Sequence, residues 1–169
     1  MFIFVKNFKM KKYLHITISI ILAIFFIYKG YNKINSEVSN LEKQDIENIQ
    51  NIKDNPKNYI TAKTGEKPTG YKITMNTMKQ SGFLNMIALF QIIAGILMII
   101  PKTRLLGLLL LLPIIFNIFM MHLFFDNRMD ENIVTGILLL TNILLLTYYH
   151  KILFNKLTIK KWKKYLLLS

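Results

Sequence analysis

Lysine, histidine and aspartate side chains mark the ends of two apolar segments of the chain. His122 and Asp126 are four residues apart near the end of one segment, and Lys29 and Lys33 have the same spacing at the end of another. Residues four apart share a helix face, so each pair presents its side chains together. A group of Lys, His and Asp can bind an anion or relay a proton to a quinone. The alternative is that these side chains only anchor the helices at the membrane surface.

Other polar side chains lie near the middle of the apolar segments. Each is eight or nine residues from the end of an uninterrupted apolar run on the side of the acidic loops, counted from Phe83, Phe125, Ile133 and Tyr28 respectively; the four are Gln91, Asn117, Asn142 and Ser19. At about 1.5 Å per residue, all four lie roughly 12–14 Å below one membrane surface. Unpaired amides are costly in hydrocarbon, so these side chains are expected to face one another. They either link the helices by hydrogen bonds or line a site for a quinone, a lipid or another small molecule.

The composition excludes several kinds of chemistry. The chain has no cysteine, so it cannot use a thiol nucleophile or bind an iron–sulfur cluster. His15 and His150 together offer two ligands for a b-type haem, but each is within two residues of a tyrosine or lysine of the membrane interface, where histidine commonly rests. The net charge of +13 accompanies no nucleic-acid-binding motif. We therefore expect no metal centre and no nucleic-acid partner.

Four long apolar segments must position these side chains. The segment 105–125 contains no Asp, Glu, Lys or Arg, which a soluble helix rarely tolerates. Segments of about 20 apolar residues span the hydrocarbon of a bilayer. The sequence therefore predicts an all-α, integral-membrane bundle of four transmembrane helices, in a single domain surrounded by lipid. The predicted transmembrane helices are 14–34, 82–100, 105–125 and 133–150.

The charged residues predict how the bundle is oriented. All nine Asp and Glu residues lie in the stretch 36–80 or between the third and fourth segments. The N-terminus, the turn at Lys102 and the tail hold 12 of the 22 Lys and Arg residues and no acid. Because Lys and Arg are retained in the cytoplasm, both termini are predicted to be cytoplasmic. Residues 36–80 then form an extracytoplasmic insert between the first two helices.

The parts outside the bundle carry weaker patterns. Apolar residues at helical spacing before Pro56 indicate a short amphipathic helix, and the turn-rich stretch 59–74 favours a small β-hairpin. The basic and apolar residues of 151–169 are typical of an interfacial helix on the inner leaflet. The first apolar segment imitates a signal peptide but lacks a cleavage site, so it is expected to stay as a membrane anchor.

Several short motifs follow one another in order along the membrane portion. They are Gly30-x-x-Lys33, Ser81-Gly82-Phe83, Gln91-x-x-x-Gly95-x-Leu97 leading to Pro101-Lys102-Thr103-Arg104, and Leu112-Pro113-x-x-x-Asn117-x-x-x-x-His122-x-Phe124-x-Asp126. In this order and spacing they resemble the DoxX family. The resemblance covers nearly all of the membrane portion, but neither the insert nor the basic tail.

The resemblance implies a four-helix protein of the bacterial inner membrane. Some members of the family are subunits of thiosulfate:quinone oxidoreductase, and others associate with redox-stress enzymes. Lys33, Asn117, His122 and Asp126 match family positions and form the candidate site that the resemblance implies. Relatives often carry Glu where this chain has Gln91, so a candidate proton carrier is missing here.

Three hypotheses for the function follow. The first is an accessory or quinone-contacting subunit of a membrane redox or oxidative-stress system, acting with a redox partner protein or as a homo-oligomer rather than as a self-contained enzyme. The second is a non-catalytic scaffold whose insert binds a partner protein. The third and weakest is a small-solute carrier. A quinone is the candidate ligand, and the candidate ligand-binding residues are Gln91, Asn117, Asn142, Lys33, His122 and Asp126.

Overall fold

The computed structural model describes residues 2–35, 41–59, 66–126, 128–150 and 153, and every regular element within these ranges is helical. The predicted all-α class is therefore confirmed for this part of the chain. The elements are α1 (Phe2–Asn35), α2 (Leu41–Asp54), a 3-10 helix (Pro56–Tyr59), α3 (Thr69–Gln80), α4 (Phe83–Ile99), α5 (Arg104–Met121), a π-helical turn (His122–Asp126) and α6 (Met129–Thr147).

Three helical stretches of the described chain are long and apolar enough to cross a membrane, namely Lys12–Asn35, Arg104–Asp126 and Met129–Thr147. A fourth is reached only if α3 and α4, which are bent by 77° relative to each other, count as one span. Large apolar side chains on these helices point outward, and Leu106 and Leu140 are each 57% exposed. Lipid accommodates such a surface and water does not, so the fold indicates a membrane protein with three or four spans.

The bend between α3 and α4 is built around Gly82. Its φ of 77° lies in the left-handed region, which glycine adopts at little cost. The Ser81 hydroxyl accepts a hydrogen bond from the Phe83 N–H at 3.4 Å. The chain therefore turns sharply here, and α3 packs against α4 and the π-helical turn instead of extending α4.

The long helices pack in the order α1, α4, α5, α6, and α1 makes few contacts with α6. Where α1 and α6 do meet, His15 Nε2 lies 3.2 Å from the Leu145 carbonyl oxygen and its ring stacks on Tyr148. This contact is at the end of the bundle that holds the 101–104 connection, which we name the turn end. The other end, where Lys33, Asp126 and Met129 lie, we name the insert end.

The centre of the bundle is apolar and closely packed. A Cβ atom added at Gly95 would lie 2.9 Å from the Ala23 carbonyl oxygen, so glycine permits the contact between α1 and α4. The buried apolar cluster is formed by Leu22, Ala23, Phe26, Ala94, Met98, Leu108, Leu111, Ile115, Leu145 and Leu146.

Arg104 closes the turn end. Its Nε donates to the Met98 carbonyl at 2.9 Å and its Nη2 to the Ile99 carbonyl at 3.4 Å, while the side chain is buried. Thr103 Oγ1 donates to the Leu97 carbonyl at 2.9 Å. The last carbonyls of a helix have no partner within it and attract cations. These two side chains therefore satisfy the end of α4.

The insert differs from its predicted form. The helix α2 confirms the amphipathic helix before Pro56, but the predicted β-hairpin is wrong in its described part, because residues 71–74 belong to α3. Thr74 Oγ1 donates to the Gly70 carbonyl, and Tyr71 is buried, so tertiary packing overrides the β propensity of this stretch. Residues 60–65 of the predicted hairpin, and the tail 151–169 apart from Leu153, lie outside the described residues.

Candidate functional site

A cavity of about 150 Å³ lies at the insert end, between α1, α4, α5 and α6. Its walls combine apolar side chains with charged and hydrogen-bonding ones. It contains three of the six residues that the sequence singled out. The lining residues are Phe25, Phe26, Lys29, Lys33, Gln91, Ile115, Ile118, His122, Glu131, Val134, Thr135 and Leu138.

Lys33 and Gln91 form one polar wall of the cavity. Lys33 Nζ donates to Gln91 Oε1 at 3.1 Å, and the Gln91 side chain is buried. The two helices meet closely here, since a Cβ atom added at Gly30 would lie 2.7 Å from the Ala88 carbonyl oxygen. The sequence assigned Lys33 to a boundary cluster and Gln91 to a midplane group. The structure brings the two together.

The second polar wall is built on Asp126, whose side chain is fully buried. Arg128 donates to both carboxylate oxygens, at 2.8 and 2.9 Å, and His122 Nδ1 lies 2.8 Å from Oδ2. A carboxylate in a bidentate pair with a guanidinium is ionised and only accepts hydrogen bonds. His122 Nδ1 therefore carries the hydrogen, which leaves Nε2 as the ring nitrogen that a ligand can use.

Sequence reasoning missed Arg128, which it counted only as a loop cation. The hydrogen bonds to Asp126 hold the pKa of Arg128 above its ordinary value, and a guanidinium is positively charged in proteins even without such a shift. Arg128 Nη2 also lies 3.2 Å from Glu131, a residue of the cavity wall. The spacing of two residues from Asp126 is a signal that was available, because a turn at a helix end brings such neighbours together.

Tyr71 was also missed as a neighbour of the site. Its ring centroid lies 5.8 Å from that of His122, and the residue is only 6% exposed. No local pattern could have indicated this contact, since 51 positions separate the two residues and the start of α3, residues 71–74, was predicted as a strand. The contact depends on the bend at Gly82.

The polar residues near the midplane do not all face one another. Ser19, Gln91 and Asn142 are buried but do not pair with one another, since Ser19 donates to the His15 carbonyl and Gln91 accepts from Lys33. Asn117 is exposed, so the expectation is wrong for Asn117. Ile115 faces the core, and two further residues turn the helix by about 200°. Asn142 is fully buried, does not line the cavity, and its amide has no hydrogen-bond partner among the described residues.

The histidines at the turn end serve the backbone. His15 contacts the Leu145 carbonyl, and His150 Nδ1 lies 2.9 Å from the Thr147 carbonyl oxygen. Within the described residues, no three His, Asp or Glu side chains come together in a way that would hold a metal ion. The geometry at these histidines is thus that of interhelical and helix-end contacts.

Comparison with protein-family models, with curated proteins and with solved structures finds no match for this chain. The likeness to the DoxX family rests on the motifs of the sequence and stays a prediction.

Proposed function

We propose that this chain is a DoxX-like protein of the bacterial inner membrane whose cavity at the insert end binds the headgroup of a quinone. It acts as an accessory, quinone-contacting subunit of a membrane redox or oxidative-stress system. The observation that carries the proposal is the cavity itself, in which Lys33, Gln91 and His122 share one space with apolar walls.

The size of the cavity fits one ring. An apolar cavity of about 150 Å³ in another protein binds benzene, and the cavity here has about the same volume. A long apolar tail does not fit inside. We place the exit of the tail between α1 and α6, because both helices line the cavity and make few contacts with each other. A ligand with a ring-sized headgroup and a lipid-soluble tail therefore suits this site.

The polar groups suit both redox forms of a quinone. The Lys33 ammonium donates hydrogen bonds, so it can bind a carbonyl oxygen of the oxidised form. In its neutral form, the His122 ring accepts a hydrogen bond at Nε2, so it can bind a hydroxyl of the reduced form while Asp126 fixes the ring through Nδ1. Without cysteine, the chain has no thiol pair to reduce a quinone, which favours a binding role beside a redox partner.

The proposal includes an orientation. The distribution of Lys and Arg favours cytoplasmic termini and an extracytoplasmic insert end. Reporter fusions test this: a periplasm-specific reporter placed at residue 62 should be active, and the same reporter at residue 102 should not. The reverse pattern would contradict the orientation without affecting the cavity.

Quinone binding is tested by calorimetric titration of the protein in mild detergent with a short-chain benzoquinone. We expect stoichiometric binding, weakened about tenfold in Lys33→Met, since a hydrogen bond from a charged group contributes about 1.5 kcal/mol. Asn117→Leu is the matched control, because that side chain faces away from the cavity. Absence of binding, or equal affinity in Lys33→Met, would show that the cavity is not a quinone site.

A further inference from the structure

The insert reaches the candidate site through the first turn of α3. Most of the described insert is exposed, but residues 68–71 are buried. Tyr71 carries this contact: its ring is tilted by 33° against that of His122 at a centroid distance of 5.8 Å. Burial of an aromatic ring in an otherwise polar segment indicates docking against the bundle rather than an independent fold.

Two glycines allow this docking. Gly82 supplies the 77° bend that turns α3 towards the bundle end. Gly70 lets the start of α3 lie against the 3-10 helix, since a Cβ atom there would lie 2.6 Å from the Tyr59 carbonyl oxygen. The position of Tyr71 is therefore set by the backbone on both sides of it.

Tyr71 also separates two open spaces. One side of the residue lines a groove of about 400 Å³ between α2 and α3, and Lys67 Nζ lies 5.3 Å from the ring centroid. The ring also packs on His122, which lines the membrane cavity. Tyr71 and His122 thus form the partition between the water-exposed groove and the cavity.

We infer that Tyr71 is a positioning residue of the candidate site, which covers His122 and keeps its imidazole against Asp126. Water competes for hydrogen bonds and weakens electrostatic contacts, so excluding it strengthens the His122–Asp126–Arg128 group. The insert, which the family resemblance does not cover, is then a part of the site. If the cavity binds a quinone, as in the proposed function, the quinone enters from the lipid between α1 and α6. The cover over His122 does not depend on that ligand.

The cover over His122 is tested without any ligand. Diethylpyrocarbonate acylates the unprotonated ring nitrogen of histidine, and peptide mass spectrometry reads each site. His150 is exposed and serves as the internal reference. We expect His122 to react about fivefold more slowly than His150, because only 15% of its side chain is exposed and reaction follows the open population.

Substitutions of Tyr71 test whether its ring is what covers His122. Tyr71→Ala should raise the His122 rate towards that of His150, and Tyr71→Phe should keep it low because the ring remains. Tyr31→Ala, which removes a 62% exposed tyrosine of α1, is the matched control and should also keep it low. Circular dichroism checks that each variant retains its helices.

Several results would overturn the inference. In the unmutated protein, equal rates at His122 and His150 would show that His122 is not covered, and this test needs no variant to fold. Slow acylation of His122 in a Tyr71→Ala variant that keeps its helices would show that the Tyr71 ring does not cover His122. Fast acylation of His122 in Tyr71→Phe would show the same.

A quinone titration adds the functional readout. Tyr71→Ala should raise the Kd about fivefold through loss of a preorganised His122, with Tyr71→Phe restoring it. If the unmutated protein binds no quinone, the proposed function fails, while the acylation rates still decide the inference about Tyr71.

Discussion

The two ends of the bundle bury polar side chains in different ways. At the turn end, Arg104 and His15 hydrogen-bond mainly to backbone carbonyls, those of Met98, Ile99 and Leu145, although Arg104 also reaches the Tyr149 side chain. At the insert end, polar side chains contact one another. Lys33 pairs with Gln91, and Asp126 holds both His122 and Arg128.

Structural need alone explains the polar side chains at the two ends to different degrees. Carbonyls at helix ends need donors in any fold, so the polar groups at the turn end are explained by the helices they satisfy. A buried group of paired charges is not required by a helical bundle, and apolar residues often replace such a group without loss of stability. One member of this group, His122, lines the cavity at the insert end, and this supports the proposal that the cavity binds a ligand.

The largest effect is expected at Asp126. Asp126→Ala leaves Arg128 and His122 without their shared acceptor, which should lower the free energy of unfolding by about 3 kcal/mol and abolish quinone binding. Titration with SDS, followed by circular dichroism, measures the stability. Asp126→Asn keeps the shape of the side chain and one acceptor oxygen, so its free energy of unfolding should fall by less than that of Asp126→Ala. If Asp126→Ala lowered the free energy of unfolding by less than about 1 kcal/mol, as for an exposed ion pair, the contacts of Asp126 with His122 and Arg128 would not stabilise the fold as a buried group.

Arg104 tests the other end. Arg104→Met removes the donor to two carbonyls at the end of α4, so we expect a loss of about 2 kcal/mol in the same SDS titration, with quinone affinity unchanged. Lys102→Met removes an exposed cation from the same turn. It should change neither the free energy of unfolding nor the quinone affinity. If Arg104→Met weakened quinone binding as much as Lys33→Met does, the turn end would also contribute to binding, and the functional contrast between the two ends would fail.

Two buried amides give the next contrast. Gln91→Leu removes the acceptor of Lys33 and should raise the quinone Kd roughly tenfold. Asn142→Leu removes an amide that has no partner among the described residues, so stability should stay equal or rise by about 1 kcal/mol, with unchanged affinity. Calorimetry and SDS titration measure both. A clear destabilisation in Asn142→Leu would show that its amide is satisfied in the membrane.

The sequence predicted the helical class of the fold, but not the directions in which side chains point around the helices. Counting residues assigned Gln91 to the midplane and Lys33 to the boundary, yet the two side chains are in contact. The helix α5 is apolar on every side, so nothing in its pattern marks the inward face. Asn117 was therefore expected inside and lies outside. The pairing of Lys33 with Gln91 depends equally on the rotation of α1 and α4, which only their packing at Gly30 and Gly95 determines.

Contacts from the insert were harder to predict. The stretch 71–74 is rich in β-forming residues, and no local signal places it in a helix that docks on the bundle. Tyr71 is buried through that docking. By contrast, His122 and Asp126 were paired correctly by their spacing of four, because a helical neighbour contact needs no tertiary information.

Asn117 should show the smallest effect among the amides. It carries the same amide as Asn142 at a comparable depth, but its side of α5 is exposed while Ile115 packs in the core. Asn117→Leu should therefore change the free energy of unfolding by less than about 0.5 kcal/mol and leave the quinone Kd unchanged. SDS titration and calorimetry measure these values beside Gln91→Leu. A large loss of affinity in Asn117→Leu would mean that a second chain brings this face into the site, and the contrast between the cavity and the outer surface of the bundle would no longer hold.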